Sequence, residues 1–260
     1  MNIVMKDKVF LCAGIALLGV VALGLFLVTR PEGEPAREGL VLERENEGGD
    51  SATTENQVAE EATPTEGVVQ SVPFTAQAPF GEWSDPRQQD GCEEAASIMA
   101  VAWARGETFT LEEAKTEILA ISAYEQVTYG TYHDSSAADT LSHVIKGYLG
   151  YENARLETNI TKRDIIDELY AGNVVIVPTD GRALQNPNFT NGGPDRHMLI
   201  VIGYDPAEGV FITNDNGTRQ GKGYRYDEDL FFSAIRDYPT GNHEPIVGVS
   251  KVMIVVEKEE

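Results

Sequence analysis

Three residues could carry nucleophilic chemistry, and their places along the chain are what make them interesting. The stretch Asp90-Gly91-Cys92-Glu93-Glu94-Ala95-Ala96-Ser97 reads as a turn, a cysteine and a helix start. Cys92 is one of two cysteines in 260 residues, and the other, Cys12, lies in an apolar N-terminal run. If the rest of the chain faces the outside of a cell, Cys92 has no disulfide partner there, and a lone cysteine at a helix start is a candidate nucleophile. The partial positive charge of a helix N-terminus favours thiolate, the reactive form. Glu93 and Glu94 suit the helix but oppose the thiolate, so pairing with a protonated histidine must do most of the activation.

His197 opens an apolar strand, His197 to Tyr204, directly after a long polar loop. Asp205 to Gly209 reads as a hairpin turn, and Val210 to Asp215 as the returning strand. Counting outward from the turn puts His197 and Asp215 at about the same level, where a carboxylate could fix the imidazole tautomer and orient the ring. Asn214, one residue earlier, should point to the opposite face. Taken singly, each residue has a plainer reading: a buried small hydrophobe, a hydrogen-bonded edge histidine, an Asp in a turn. Together they put Cys, His and Asp on a helix start, a strand start and the end of the paired strand.

Other chemistry finds little support. His133 and His243 fall in loops, and His143 is on a helix with no acidic partner fixed by spacing. There is no CxxC, no HExxH and no His pair at i, i+4, so neither metal nor cofactor is expected. Gly217, Gly221 and Gly223 do not make a dinucleotide fingerprint. Asn159, Asn188 and Asn216 each begin an Asn-x-Ser/Thr triplet, meaningful only in a glycosylating host.

The elements that must position these residues follow from periodicity. A short strand from Val68 ends near Pro73, and a loop holding Gln77 and Trp83 follows. Cys92 to about Arg105 has helical spacing, with Ala95, Ala96, Met99, Ala100 and Trp103 as its apolar stripe and Gly106 as its stop. Thr110-Leu111-Glu112-Glu113 is a capping box opening a helix to about Ala123. Further helices are expected from Ala137 to about Leu149, from Thr161 to Ala171, and from Asp227 to about Arg236. Strands are expected at Asn173 to Pro178, at the hairpin, around Tyr224 to Tyr226, and from Ile246 to Glu257. Helices first and antiparallel strands second make an α+β domain.

The formal net charge of −22 argues against nucleic acid, whose phosphates would repel the chain. The charge is concentrated in places. Residues 31–68 carry eleven Asp and Glu against Arg37 and Arg44 and have no sustained period. They read as an acidic, disordered, extended linker. Val9 to Val28 is a run of twenty residues without a charge, about the ~20 needed to span a ~30 Å hydrocarbon core. Lys6 and Lys8 precede it, so the N-terminus is expected in the cytoplasm and the remainder outside. A cleaved signal peptide is the alternative, but the run is long for one and Val28-Thr29-Arg30-Pro31 lacks a small-x-small cleavage site. The expected organisation is a cytoplasmic stub and transmembrane anchor (1–30), an acidic linker (31–68) and a folded domain (69–260).

Four blocks carry a family resemblance: Val72-Pro73-Phe74-x-x-Gln77, Gly91-Cys92-Glu93-x-Ala95-x-Ser97, His197-x-x-x-Val201-x-Gly203-Tyr204-Asp205, and Asn214-Asp215. They resemble the papain-like cysteine peptidases related to the bacteriocin-processing, double-glycine leader peptidases, over about residues 70 to 257. The resemblance implies a papain-like fold, with a helical N-terminal part packed on an antiparallel sheet. It also implies Cys92 as nucleophile, His197 as general base and acid, Asp215 as orienting group, and an upstream glutamine in the oxyanion hole with the cysteine's own N–H. That glutamine is assigned to Gln77, with Gln89 in reserve. Gln77 is fifteen positions before Cys92, farther than is usual in leader-processing members, and Asn216 follows Asp215 where the family commonly has Pro. No ATP-binding cassette accompanies the domain, so leader processing is not implied.

The expected function is therefore a membrane-anchored, extracytoplasmic cysteine peptidase acting on a peptide or protein substrate, with no metal and no nucleic-acid partner. Two rivals remain. One is an acyl or peptidyl transferase using the same thioester chemistry, and the other is an inactive papain-like binding module. Oligomeric state is not legible.

Overall fold

The structure, a computed structural model, describes residues 65–259. The expected anchor and almost all of the linker lie outside them. Among the described residues, no helix is long and apolar enough to cross a membrane.

The elements run β1 (Val68–Val69), α1 (Pro86–Gln89), α2 (Cys92–Ala104), α3 (Leu111–Thr128) and α4 (Ala137–Asp139), which continues as a π-helix over Thr140–Tyr148. Then come β2 (Ala154–Thr158), α5 (Lys162–Tyr170), β3 (Val174–Thr179), β4 (His197–Asp205), β5 (Val210–Asn214), β6 (Lys222–Asp227), α6 (Glu228–Ala234) and β7 (Val252–Val256). Helix starts lie where the side-chain chemistry puts them. Thr110 and Thr161 each accept from the third helical N–H, and Glu113 and Asp164 reach back to their caps. Asp85 caps α1, whose first residue is proline.

Every strand pair is antiparallel, in the order β2-β7-β3-β4-β5-β6, with β1 also on β4. The β4 strand is the axis of the sheet. Its first half pairs β3, its last residues pair β1, and its other edge pairs β5. The register on β5 shifts between Val201 and Gly203, an irregularity that leaves Ile202 without a partner. Gly203 is required beside it, because a Cβ there would lie 2.3 Å from Val68 O.

Two apolar clusters cover the two faces of the sheet. Met198, Ile200, Val174, Ile176 and Ile254 meet Ala96, Met99, Ala100 and Trp103 of α2. Leu199, Val201, Val175, Val177 and Val255 meet Ile165, Ile166 and Leu169 of α5 and Phe231 of α6. The expectation of helices packed on an antiparallel sheet holds for α2 and the π-helix, while α3 packs on those two helices rather than on the sheet. It is extended by α5 and α6, which cover the opposite face. All thirteen residues of α2 are buried, its two glutamates included. Each large apolar side chain so covered contributes about 1.5–3 kcal/mol.

Three local expectations are corrected. β2 is an additional strand, pairing β7. The last strand is shorter than its apolar run, because Val247 and Val249 are exposed. The helix at 137–148 is mostly π-helical rather than α.

Candidate active site

Cys92 is the first residue of α2, so its N–H has no intrahelical acceptor. α2 lies across β4, which brings the helix start against the strand start. The Met198 N–H donates to Cys92 Sγ at 3.3 Å, which puts the thiol one residue from His197. Cys92 is the free cysteine among the described residues, and it is buried.

His197 and Asp215 are joined directly: His197 Nε2 lies 2.8 Å from Asp215 Oδ1, and both side chains are buried. The pairing does not come from their being level, as simple counting expected. In the observed register Ile200 faces Asn214, so Asp215 sits beyond β5 and reaches His197 along a diagonal. Asn214 does point to the other face, where its Nδ2 approaches Val72 O and Pro73 O. The Nε2 contact to Asp215 leaves Nδ1 as the imidazole nitrogen available to a thiol.

Asp215 is well provided for. Tyr226 Oη–H donates to its Oδ2 at 2.5 Å, Asn186 Nδ2 donates at 3.0 Å, and the Gly217 N–H donates to Oδ1 at 3.0 Å. Burial pushes the carboxyl up, but the charge and hydrogen bond of His197 and the bonds from Tyr226 and Gly217 outweigh it, so the net shift is downward. The His197 ring is boxed by Phe189, edge-on at 5.5 Å between centroids, and by Gly217. A Cβ on Gly217 would come within 2.9 Å of His197 Cε1.

Gln77 and Gln89 both line a cavity of about 330 Å³ together with Cys92 and His197. Gln77 is buried, and its Nε2 donates to Gln88 O at 3.1 Å and Gln89 O at 2.6 Å. Both amide hydrogens are therefore committed to the end of α1. The Gln89 side chain is exposed and makes no hydrogen bond among the described residues. A second cavity of about 630 Å³ shares Gln77, Gln89 and Pro194 with the first and runs past Trp83, Phe189 and Arg219.

Several contacts at the site are not marked in the sequence. Asn216 Nδ2 donates to Cys92 O at 2.8 Å, and its own carbonyl accepts from Gln77 N, so it ties three parts of the site together. Tyr226, Asn186 and Tyr238 are equally long-range partners, and no local spacing marks them. Glu93 is the largest departure. The sequence places it in the first helical turn and opposed to the thiolate; what the sequence does not show is that it is buried, with Oε2 3.0 Å from Cys92 Sγ. Burial pushes the Cys92 thiol well up, and the Glu93 charge adds to this. Burial likewise raises Glu93 to about 7 and Glu125 to about 8, and Glu94 is raised well above its ordinary value.

Of the remaining histidines, one needs a correction and one borders the site. His143 does have an acidic partner at helical spacing: Asp139 Oδ1 is 3.6 Å from its Nε2, one turn earlier. It also stacks on Tyr129. His243 pairs with Asp134 at 2.9 Å and borders the first cavity. No metal-ligand cluster is present among the described residues.

A cysteine at a helix start, set against a histidine–carboxylate pair on an antiparallel sheet, is the arrangement of the papain-like cysteine peptidases. Within that class the chain belongs to the Peptidase_C39-like family, whose model matches residues 69–240. A solved structure described as a C39-like peptidase from Bacillus anthracis is also similar. It is 16% identical, covers 75% of this chain and 100% of its own, and has a TM-score of 0.48. No curated protein matches the chain.

Proposed function

We propose that the protein is an active cysteine peptidase that hydrolyses amide bonds through Cys92, His197 and Asp215, held at a membrane by residues 9–28 with its catalytic domain outside the cell. The observation that carries the reading is the buried His197–Asp215 pair at 2.8 Å, one residue from the Met198 N–H that touches Cys92 Sγ. In this reading His197 Nδ1 takes the thiol proton as Sγ attacks the carbonyl carbon, and Asp215 balances the imidazolium. The oxyanion is received by the Cys92 N–H and by Gln77, whose Nε2 gives up one of its two hydrogen bonds to the carbonyls of α1, with Gln89 as the second choice. His197 then gives its proton to the leaving amine. It activates a water in turn, which cleaves the thioester and restores the thiol.

The test is turnover of a peptide library by the full chain in detergent or membranes. Cys92→Ala and His197→Ala should each abolish product formation. Full turnover by Cys92→Ala would end this reading. Wild-type binding of peptides without any turnover would favour the binding-module alternative.

A further inference from the structure

Glu93 occupies a position that the triad chemistry does not use. Its two oxygens have separate tasks. Oε1 accepts from Tyr238 Oη–H at 2.7 Å and from the Ser135 N–H at 3.1 Å. Oε2 faces the sulfur of Cys92 at 3.0 Å. With Oε1 filled by two donors, a proton on this carboxyl belongs on Oε2, pointing at Sγ.

We infer that Glu93 is a further catalytic residue, one that governs the nucleophile by reversing a single hydrogen bond. As a carboxylic acid it donates Oε2–H to the Cys92 sulfur and stabilises the thiolate. As a carboxylate it accepts the S–H of the thiol and keeps that proton from His197. No covalent bond to Glu93 forms in either state. During attack the thiol proton goes to His197 Nδ1, the Sγ–C bond forms, and Glu93 keeps its own proton. The inference rests on the peptidase reading only for its consequence in turnover, because the reversal itself is a property of the resting thiol.

The surroundings keep this carboxyl near its switching point. Burial above all, with the charge of Asp134, raises it against the bonds to Cys92 and Tyr238 that hold it down, and the balance lies at about 7. The charged and titratable groups around it are Cys92 and Glu94 on α2, Glu125 on α3, Asp134 in the loop before α4, and Tyr238 after α6. Arg196 and His243 lie on Asp134, at 3.5 and 2.9 Å, and so temper that neighbour rather than Glu93 itself. Acid groups therefore dominate the neighbourhood, and the protonated form persists to near-neutral pH.

The experiment is iodoacetamide alkylation of the full chain across pH. It is read at Cys92 by mass spectrometry of its own peptide and divided by the rate of a free reference thiol. In the wild type this ratio should fall roughly tenfold as pH rises through about 7, one decade for each unit by which the thiol is disfavoured. Glu93→Gln keeps the shape and offers a permanent N–H to the sulfur, so its ratio should stay flat and exceed the wild type on the alkaline side. Tyr238→Phe removes a donor to Oε1 and should move the wild-type step to higher pH. It is the second test if Glu93→Gln does not fold. Identical profiles in wild type and Glu93→Gln, or an unmoved step in Tyr238→Phe, would overturn the inference. A Glu93-dependent profile in a chain that cleaves no peptide would retire the peptidase reading and leave this inference standing. Turnover with a Glu93-independent profile would do the reverse.

Discussion

Asp215 accepts three hydrogen bonds besides its contact to His197, so it is held both ionised and immobile. Asp215→Asn preserves the shape and loses the charge that balances an imidazolium. Under the proposed mechanism, peptide turnover should fall roughly 10²–10⁴-fold, the range of a general acid–base contribution. KM should barely change, and steady-state kinetics measures both. The buried acids behind the nucleophile make a separate prediction about stability. Ser122 Oγ lies 2.8 Å from Glu94 Oε1 and 2.9 Å from Ile118 O, and one hydroxyl proton cannot serve both. A protonated Glu94 resolves this by donating to Ser122. A carboxyl raised on folding keeps its proton longer folded than unfolded. Stability is therefore lost as pH climbs from the ordinary value of 4.5, and the cost is complete above the raised value. Glu94→Gln should raise the Tm at about pH 8 and leave it nearly unchanged at about pH 4, as calorimetry at the two pH values would show. In the sequence these glutamates read as first-turn residues that oppose the thiolate, with nothing to mark them as buried. Their burial follows from α3 and the 131–136 loop folding over α2, which no local pattern announces.

At the scale of elements, the sequence was most informative where side-chain chemistry is local. The caps at Thr110 and Thr161, the start of α2 at Cys92 and the start of β4 at His197 were all readable. The failures came where tertiary context decides. β2 carries Arg155 and Glu157, which hide its strand character, yet pairing with β7 recruits it. The run from Ile246 looks like strand by composition, but the chain does not pair until Val252. That His197 and Asp215 come together was legible because a hairpin converts sequence distance into spatial distance almost without choice. The supporting partners Asn186, Asn216, Tyr226 and Tyr238 were not, because their positions depend on loops. One such loop yields a sharp prediction. The turn after β5 passes so close to the imidazole that a methyl on Gly217 would lie 2.8 Å from Phe189 Cε1 and 2.9 Å from His197 Cε1. Gly217→Ala must push the ring off Asp215 or displace Phe189. Peptide turnover should drop at least tenfold, in line with the cost of misplacing a reacting group. Circular dichroism should show the secondary structure retained.

At the scale of the whole molecule, the two faces of the sheet have different duties. α2 and its neighbours on one face carry the thiol, while the tyrosine and asparagine that hold Asp215 come from the α5–α6 side. The candidate site therefore forms at the start of β4, where both layers meet, and it depends on the whole sheet being assembled. How this domain is delivered to its substrate depends on segments outside the described residues. An uncharged run of twenty residues behind Lys6 and Lys8, followed by the acidic stretch 31–68, is the basis for proposing a tethered ectodomain. On that proposal, the full chain should sediment with membranes after an alkaline carbonate wash, since an integral helix is not released by breaking ionic contacts. In intact cells a charged, membrane-impermeant thiol reagent should modify Cys92 and spare Cys12, which lies inside the apolar run. Cys92→Ala should erase the label. Labelling of Cys92 only after the cells are broken open would place the domain on the cytoplasmic side. Release of the chain by carbonate would rule out the anchor. If residues 31–68 form the extended acidic linker expected from their composition, the proposal adds a dependence on salt: like charges would hold the domain away from an anionic surface, and ions would screen them over a Debye length of ~8 Å at physiological strength. Raising the salt should therefore shorten the distance from bilayer to domain, measured by energy transfer from a dye on Cys92 to a lipid acceptor, whereas a rigidly docked domain would show no change.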